Sequence, residues 1–350
     1  MSTPTTGSST EASPTPPSED HPEEQTKHGP SGQAALLRQI ASSPAIVGLL
    51  AVLTALILSS ILILAADSEV RYTATYLLNR PGDFLHATAS TLSEAYSSLL
   101  RGAVFDWRAT TGVRMIRPIT DTLTNATPLI IAGLGMAVAF RAGLFNIGGQ
   151  GQMILGAITA CYVGIAWNLP PVAHLLLAVV GAALGGLVWG GIAGVLKART
   201  GANEVIVTIM LNSIAAHLLS QVLSLKAFNG EGETGNRKSL TVADTAQYPS
   251  LAGDSFRLHA GFLLALLVAV AVWWLMERSR LGFQLRATGL NADAARTAGM
   301  SVPWVTSLVM MISGALCGLA ATAPVLGTQK SMDESVVGTI GFDAITVALL

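Results

Sequence analysis

The chain has 350 residues, 51% of them hydrophobic and 12% charged, with a mean hydropathy of +0.55. A soluble domain carries about 25% charged residues, so this chain has roughly half the charge that a water-facing surface needs. Its 20 Lys+Arg against 21 Asp+Glu exclude a nucleic-acid binder built on a basic patch. The composition predicts an all-α polytopic integral membrane protein.

Residues 1–43 are rich in Ser, Thr, Pro and Glu and nearly free of large apolar groups. Such a stretch cannot bury enough surface to offset its ordering entropy, and it reads as a disordered tail preceding one membrane domain, 44–350. It is no signal peptide, because an acidic tract and no basic region precedes the first apolar run. Pro44 to Ala66 is 23 residues without a charge. At about 1.5 Å per residue it rises about 34 Å, enough for a bilayer core of about 30 Å. Further apolar runs follow at about 123–140, 145–167, 172–196, 204–225, 260–276 and 304–326, and a last one begins near Gly338. These predict seven or eight transmembrane helices.

Two longer connections are polar, 67–122 and 226–259. The first contains the partly amphipathic TYLLNR and LSEAYSSLLRGAVFDW. With the tail in the cytoplasm, both lie outside. The short connections then carry seven basic residues inside (Arg141, Lys197, Arg199, Arg278, Arg280, Arg286, Arg296) and one outside, Lys330, as the positive-inside rule asks of short loops. The expected location is therefore a plasma membrane, multi-pass, with a cytoplasmic N-terminus. Leu349 and Leu350 end an apolar stretch without a polar cap, which reads as a C-terminally truncated fragment in preference to a re-entrant segment.

Several chemistries lack their residues. There is no G-x-x-x-x-G-K-[ST] loop and no Gly-Lys dipeptide, so no P-loop for ATP. The six histidines (21, 28, 86, 174, 217, 259) are scattered, none at metal-ligand spacing, and the two cysteines, Cys161 and Cys317, lie in apolar runs, which leaves no disulfide framework or zinc site. A catalytic site, a metal and a cofactor are accordingly not expected.

The most specific stretch is FRAGLFNIGGQGQMILG, Phe140 to Gly156. Three amides (Asn146, Gln150, Gln152) and five glycines (143, 148, 149, 151, 156) fall within a hydrophobic crossing. Each glycine costs about 1 kcal/mol relative to Ala in a helix interior, so a broken helix start is predicted, of the kind a membrane tolerates where protein or a water-filled cavity satisfies the freed backbone. The amides then either line a substrate path or cap and cross-link helices. From Asn203 onward, Glu204, Thr208, Asn212, Ala216 and Ser220 recur every fourth residue, one polar or small stripe down a helix. Asn203 is a good N-cap, and Glu204 suits the positive helix N-terminus. That makes Glu204 a cap-region anion, and Thr208 and Asn212 the path candidates, with an interhelical hydrogen bond as the alternative for Asn212.

Gly181, Gly185, Gly186, Gly190 and Gly194 form overlapping small-xxx-small ridges, and Gly314 and Gly318 repeat the pattern; these read as packing faces. Trp273 and Trp274 suit an interfacial belt. The segment Glu277–Ser301 is short, basic and punctuated by Gly282, Gly289 and Gly299, with Asn291 placed to cap ADAARTA. It reads as two short helices on the cytoplasmic surface, or as an ordinary solvated connector.

Taken together, ATPLIIAGLGMAVAFRAGLFNIGGQGQMILGA (126–157), TGANEVIVTIMLN (200–212), GFQLRATGLNADAARTAGM (282–300), SGALCGLAATAPVLGT (313–328) and GFDAITVALL (341–350) resemble the permease subunits of bacterial ABC uptake systems for simple sugars and nucleosides. That group is related to the branched-chain amino-acid and ribose permeases. The resemblance implies a transport subunit without its own ATPase site. It also implies three partners: a second homologous permease, a cytoplasmic P-loop ATPase that uses the ATP, and an extracytoplasmic substrate-binding lipoprotein. By the same resemblance, Arg286, Gly289, Asn291, Ala294, Ala295 and Gly299 fall in the loop that couples to the ATPase. The competing reading is a secondary transporter driven by an ion gradient. It needs intramembrane carboxylates, and Glu204 is the one acid close to a crossing.

Overall fold

The computed structural model describes residues 44–229, 237–253 and 255–350; the tail expected over 1–43 lies outside them. The chain divides into two compact units between Ala95 and Tyr96. The described part of the first begins with α1, Pro44–Ala66, the uncharged crossing. It continues into α2, Ser68–Ala74, capped by Asp67, whose carboxylate accepts from the Glu69 and Val70 N–H groups. Helix α3, Pro81–Ala103, runs across the division, so the first connection expected to be a polar loop is largely helical.

The second unit is a helical bundle. Its elements are α4 (Gly112–Arg141), α5 (Gly149–Ala166), α6 (Pro171–Thr200), α7 (Glu204–Leu223), the single turn α8 (Lys226–Asn229), α9 (Gly261–Arg278), α10 (Arg280–Leu290), α11 (Ala292–Thr297), α12 (Val302–Ala320) and α13 (Ile340–Leu349). Among the described residues, six helices are long and apolar enough to cross a membrane. Helix α5, with 18 residues, falls just short because Gln150 and Gln152 occupy its first turn. Helix α4 starts about three turns before its apolar run. Its 30 residues rise about 45 Å, so Arg114, Arg117 and Asp121 ride on turns that extend past a core of about 30 Å.

The span that begins with α12 is the buried axis of the bundle, with 67% of its apolar window enclosed. After Thr322 it widens into one π-type turn, Ala323–Thr328, in which the Gln329 N–H reaches back to the Pro324 carbonyl at 2.9 Å. The glycine ridges are where α6 meets this axis. A Cβ on Gly186 would overlap the Gly314 carbonyl, and one on Gly190 the Met310 carbonyl; Gly314 and Gly318 lie equally tight against Gly186 and Ala182. The helices therefore touch backbone to backbone, as small residues permit in lipid. Gly181 differs, since a Cβ there would sit 3.4 Å from Val163, an ordinary contact.

The connections at the two ends of the bundle are held in different ways. At one end Glu277 lies between Arg141 and Arg286, at 3.0 Å from each, and Lys197 pairs with Glu204 at 2.6 Å. At the other, the 226–259 connection is tied to the segment before α13. The Ser239 N–H donates to the Met332 carbonyl at 2.7 Å, and the Val242 N–H to the Lys330 carbonyl at 2.9 Å.

Candidate functional site

The site is built from the break that the glycines predict. Helix α4 ends at Arg141, Gly143 takes φ +72°, and α5 restarts at Gly149. Gly143 packs against Gly289 of α10, where an added Cβ would stand 3.1 Å from backbone, so both the left-handed turn and the close approach require glycine.

A helix start leaves its first N–H groups without intrahelical partners, and in lipid no water replaces them. The amides supply the partners. The Asn146 Oδ1 accepts from the Gly148 N–H at 2.8 Å, and its Nδ2 donates to the Ser313 Oγ at 2.8 Å and the Gln152 Oε1 at 3.1 Å. From the neighbouring helix, the Asn212 Oδ1 accepts from the Gly151 N–H at 2.8 Å while its Nδ2 donates to the Ile147 carbonyl at 2.9 Å. Gln150 reaches the other way. Its Nε2 donates to the Gly338 carbonyl at 2.6 Å and its Oε1 accepts from the Gly341 N–H, in the first turn of α13, at 3.1 Å. The starts of α5 and α13 are thus capped in trans around one joint, with Trp189 of α6 standing over Gly151.

Of the five residues expected to line a path, Asn146, Gln152 and Thr208 are wholly buried. The first two are saturated by the joint, and the Thr208 hydroxyl donates to its own helix at the Glu204 carbonyl, 2.7 Å away. Gln150 and Asn212 instead border a cavity of about 520 Å³. Its wall continues along α7 through Ser213, Ala216, His217 and Ser220, faces Ile154 of α5 and Phe342 of α13, and is bounded by Arg237 and Glu334. Arg237 donates to Ser220 Oγ at 2.6 Å and to Glu334 at 2.9 Å. These bonds hold the Glu334 carboxyl below the usual range, so the clasp is intact at neutral pH and opens only as pH falls through that lowered value.

His217, Ser213 and Phe342 are the residues that sequence reasoning missed. The signal was present: Ser213 and His217 lie one residue along from Asn212 and Ala216 of the predicted stripe and, with Ser220 of the stripe itself, follow i, i+4, i+7 spacing. An exposed imidazole within a spanning helix is a functional marker, since intramembrane ionisable groups face a water-filled cavity or protein. Arg237 and Glu334, 97 residues apart, carry no local signal.

Glu204 opens α7 beside its cap Asn203, whose Oδ1 accepts from the Val205 and Ile206 N–H groups. With Lys197 at 2.6 Å, it sits as a paired anion at the end of a helix. In the 277–301 loop, Asn291 caps α11 through the Asp293 and Ala294 N–H groups, both at 3.0 Å, and Gly299 takes φ +82°. The six loop residues divide. Asn291, Ala294 and Gly299 are exposed. Arg286 turns inward to Glu277 and the Met276 carbonyl, Gly289 packs on the Arg141–Ala142 backbone, and Ala295 is buried. The apex is Leu290, 88% exposed.

Residues 119–350 match the family model for the permease component of branched-chain amino acid transport systems. The guanosine ABC transporter permease protein NupP of Bacillus subtilis is 42% identical over 233 residues, covering 66% of this chain and 67% of the relative. The glucose ABC transporter permease protein TsgB13 of Haloferax volcanii is 38% identical, covering 66% and 63%. The nucleoside ABC transporter permease protein NupB of Lactococcus lactis is 33% identical, covering 67% and 66%. The chain spans about two thirds of the length of these curated relatives. No solved structure matches it.

Proposed function

Because the chain belongs to the permease component family of branched-chain amino acid transport systems, we propose that it is the membrane-spanning permease subunit of an ABC importer. The solute proposed is a nucleoside or simple sugar, after the guanosine, glucose and nucleoside transporters among its relatives. The observation that carries the reading is the cavity bordered by Gln150, Asn212 and His217, a polar recess along a helix apolar enough to span. Its hydroxyl, imidazole and phenyl groups suit an uncharged polar ring compound, offering hydrogen bonds at the edge and an aromatic surface at the face.

The partners proposed are those that an ABC permease subunit implies. With no P-loop of its own, the subunit takes its energy from a cytoplasmic ATPase docked on the exposed tip Leu290, Asn291 and Ala294. The inward-turned Arg286, Gly289 and Ala295 transmit that contact into α4 and α9. A second, homologous permease covers the open side of the cavity, and an extracytoplasmic binding lipoprotein delivers solute to the Arg237–Glu334 end. In this arrangement the subunit lies in the plasma membrane with its N-terminus and the 277–301 loop in the cytoplasm, as the basic short connections favour. ATP-driven movement of the loop would rock α4 and α9 and open the cavity alternately to each side, a two-state rearrangement of packed helices.

Uptake of labelled guanosine and glucose by cells carrying the full chain with its companion subunits tests the proposal. His217→Ala removes one cavity hydrogen bond, worth about 0.5–1.5 kcal/mol, so KM should rise roughly two- to thirteenfold while the amount of membrane-inserted protein stays constant. Unchanged uptake of both solutes would remove the cavity from the path.

A further inference from the structure

A second recess lies at the end of the π-type turn. It measures about 370 Å³ and is lined by Tyr248, Arg257, His259, Thr328 and Lys330, among others. It sits where α9 begins and the α12 span ends, the level at which a headgroup region meets a bundle. Three observations about it are independent of the transport path.

The first is charge. Arg257 and Lys330 both border the recess, and neither has an ion-pair or hydrogen-bond partner for its side chain among the described residues. No described residue of the lining is acidic. The second is an orphaned donor. His259 is 4% exposed and its Nδ1 accepts from the Gly261 N–H at 3.1 Å, so the ring proton of the neutral imidazole resides on Nε2. That N–H has no partner among the described residues and lies packed against Gly327, where a Cβ would overlap the ring, in the lining of the recess. Burial, then Arg257, push the imidazole down to about 4, which keeps it a neutral donor at physiological pH. The third is placement. The ring is locked by stacking on Tyr248 at 5.3 Å, with Tyr248 donating to Thr322 Oγ1 at 2.9 Å. Lys330 is held at φ +55°, the left-handed exception among non-glycine described residues, with its carbonyl accepting from the Val242 N–H at 2.9 Å. Strained backbone of this kind persists where surrounding structure holds it, and such positions cluster at ligand sites.

We propose that this recess binds a phosphate oxyanion, with Arg257 and Lys330 supplying charge, and His259 Nε2–H and the Thr328 hydroxyl supplying directed hydrogen bonds. The oxyanion is either the phosphodiester of an anionic lipid headgroup or free orthophosphate. Both present the same oxygens. The test uses the full chain in mild detergent and three probes: phosphatidylglycerol and phosphatidylcholine retained in native mass spectra, and orthophosphate followed by phosphorus NMR. The wild type should hold phosphatidylglycerol in preference to phosphatidylcholine, or bind orthophosphate. Affinity should fall at least tenfold in Arg257→Gln/Lys330→Gln and stay unchanged in Lys226→Gln. Loss confined to the lipid assigns a headgroup site, and loss confined to orthophosphate assigns a free-anion site. Should the double variant not fold, Lys330→Asn, which tolerates positive φ, carries the same comparison. Equal affinity in variant and wild type for both probes, or binding of neither, overturns the proposal.

Discussion

Gly186→Leu should abolish the folded protein, whatever solute is offered. The side chain would enter a crossing where a single Cβ already overlaps the Gly314 carbonyl, and where Gly314 and Gly318 of the axial span lie equally close to Gly186 and Ala182. Overpacking a core that can shift its side chains costs about 1–3 kcal/mol; here the obstructing atoms are backbone on both helices, so the crossing has to separate. Separation strips contact from the span that begins with α12, most of whose apolar window is enclosed, and opens the joint that Ser313 of the same helix holds through Asn146. The expected readout is loss of monodisperse protein from detergent-solubilised membranes. Gly181→Ala, at an ordinary 3.4 Å contact with Val163, should leave the yield unchanged and serves as the control.

Asn146→Ala should be the next most damaging change, and its damage should be uniform across solutes. The side chain is wholly buried and satisfies three groups at once: the Gly148 N–H, the Ser313 hydroxyl and the Gln152 amide. Each polar group left buried and unpaired costs about 1–3 kcal/mol, and no solvent reaches the joint to replace the lost bonds. Thermal stability should drop by several degrees and transport should fall for guanosine and glucose alike. Ser313→Ala removes only one partner and should cost less. If Asn146→Ala instead left stability intact and shifted the preference between solutes, Asn146 would be a solute ligand and not a structural link.

Much of this was legible in the residues. The glycine ridges marked the α6–α12 crossing because their spacing is local and their chemistry has a single use in lipid. The helix break at 142–148 was legible for the same reason, as were the caps Asn203 and Asn291. The roles of the amides were not. Both a path and a cross-link need polar groups in an apolar span, and only the positions of Gly151, Ser313 and Gly341 show that the side chains of Asn212, Asn146 and Gln150 bond within the joint. The cavity wall was half visible. Asn212 was singled out, yet Ser213 and His217 lie one residue off the stripe, where a reading tied to every fourth residue passes over them. The Arg237–Glu334 clasp and the oxyanion recess join segments far apart in the chain, and no local pattern announces them.

The most direct test of the central claim is purification of the tagged, full-length protein from native membranes in mild detergent, with co-purifying chains identified by mass. The account predicts a P-loop ATPase and a second permease in stoichiometric amount. It also predicts loss of the ATPase alone in Leu290→Asp, which places a charge on the exposed apex of the 277–301 loop without touching the buried joint. Recovery of the chain without an ATPase, together with solute uptake that persists in ATP-depleted vesicles, would contradict it.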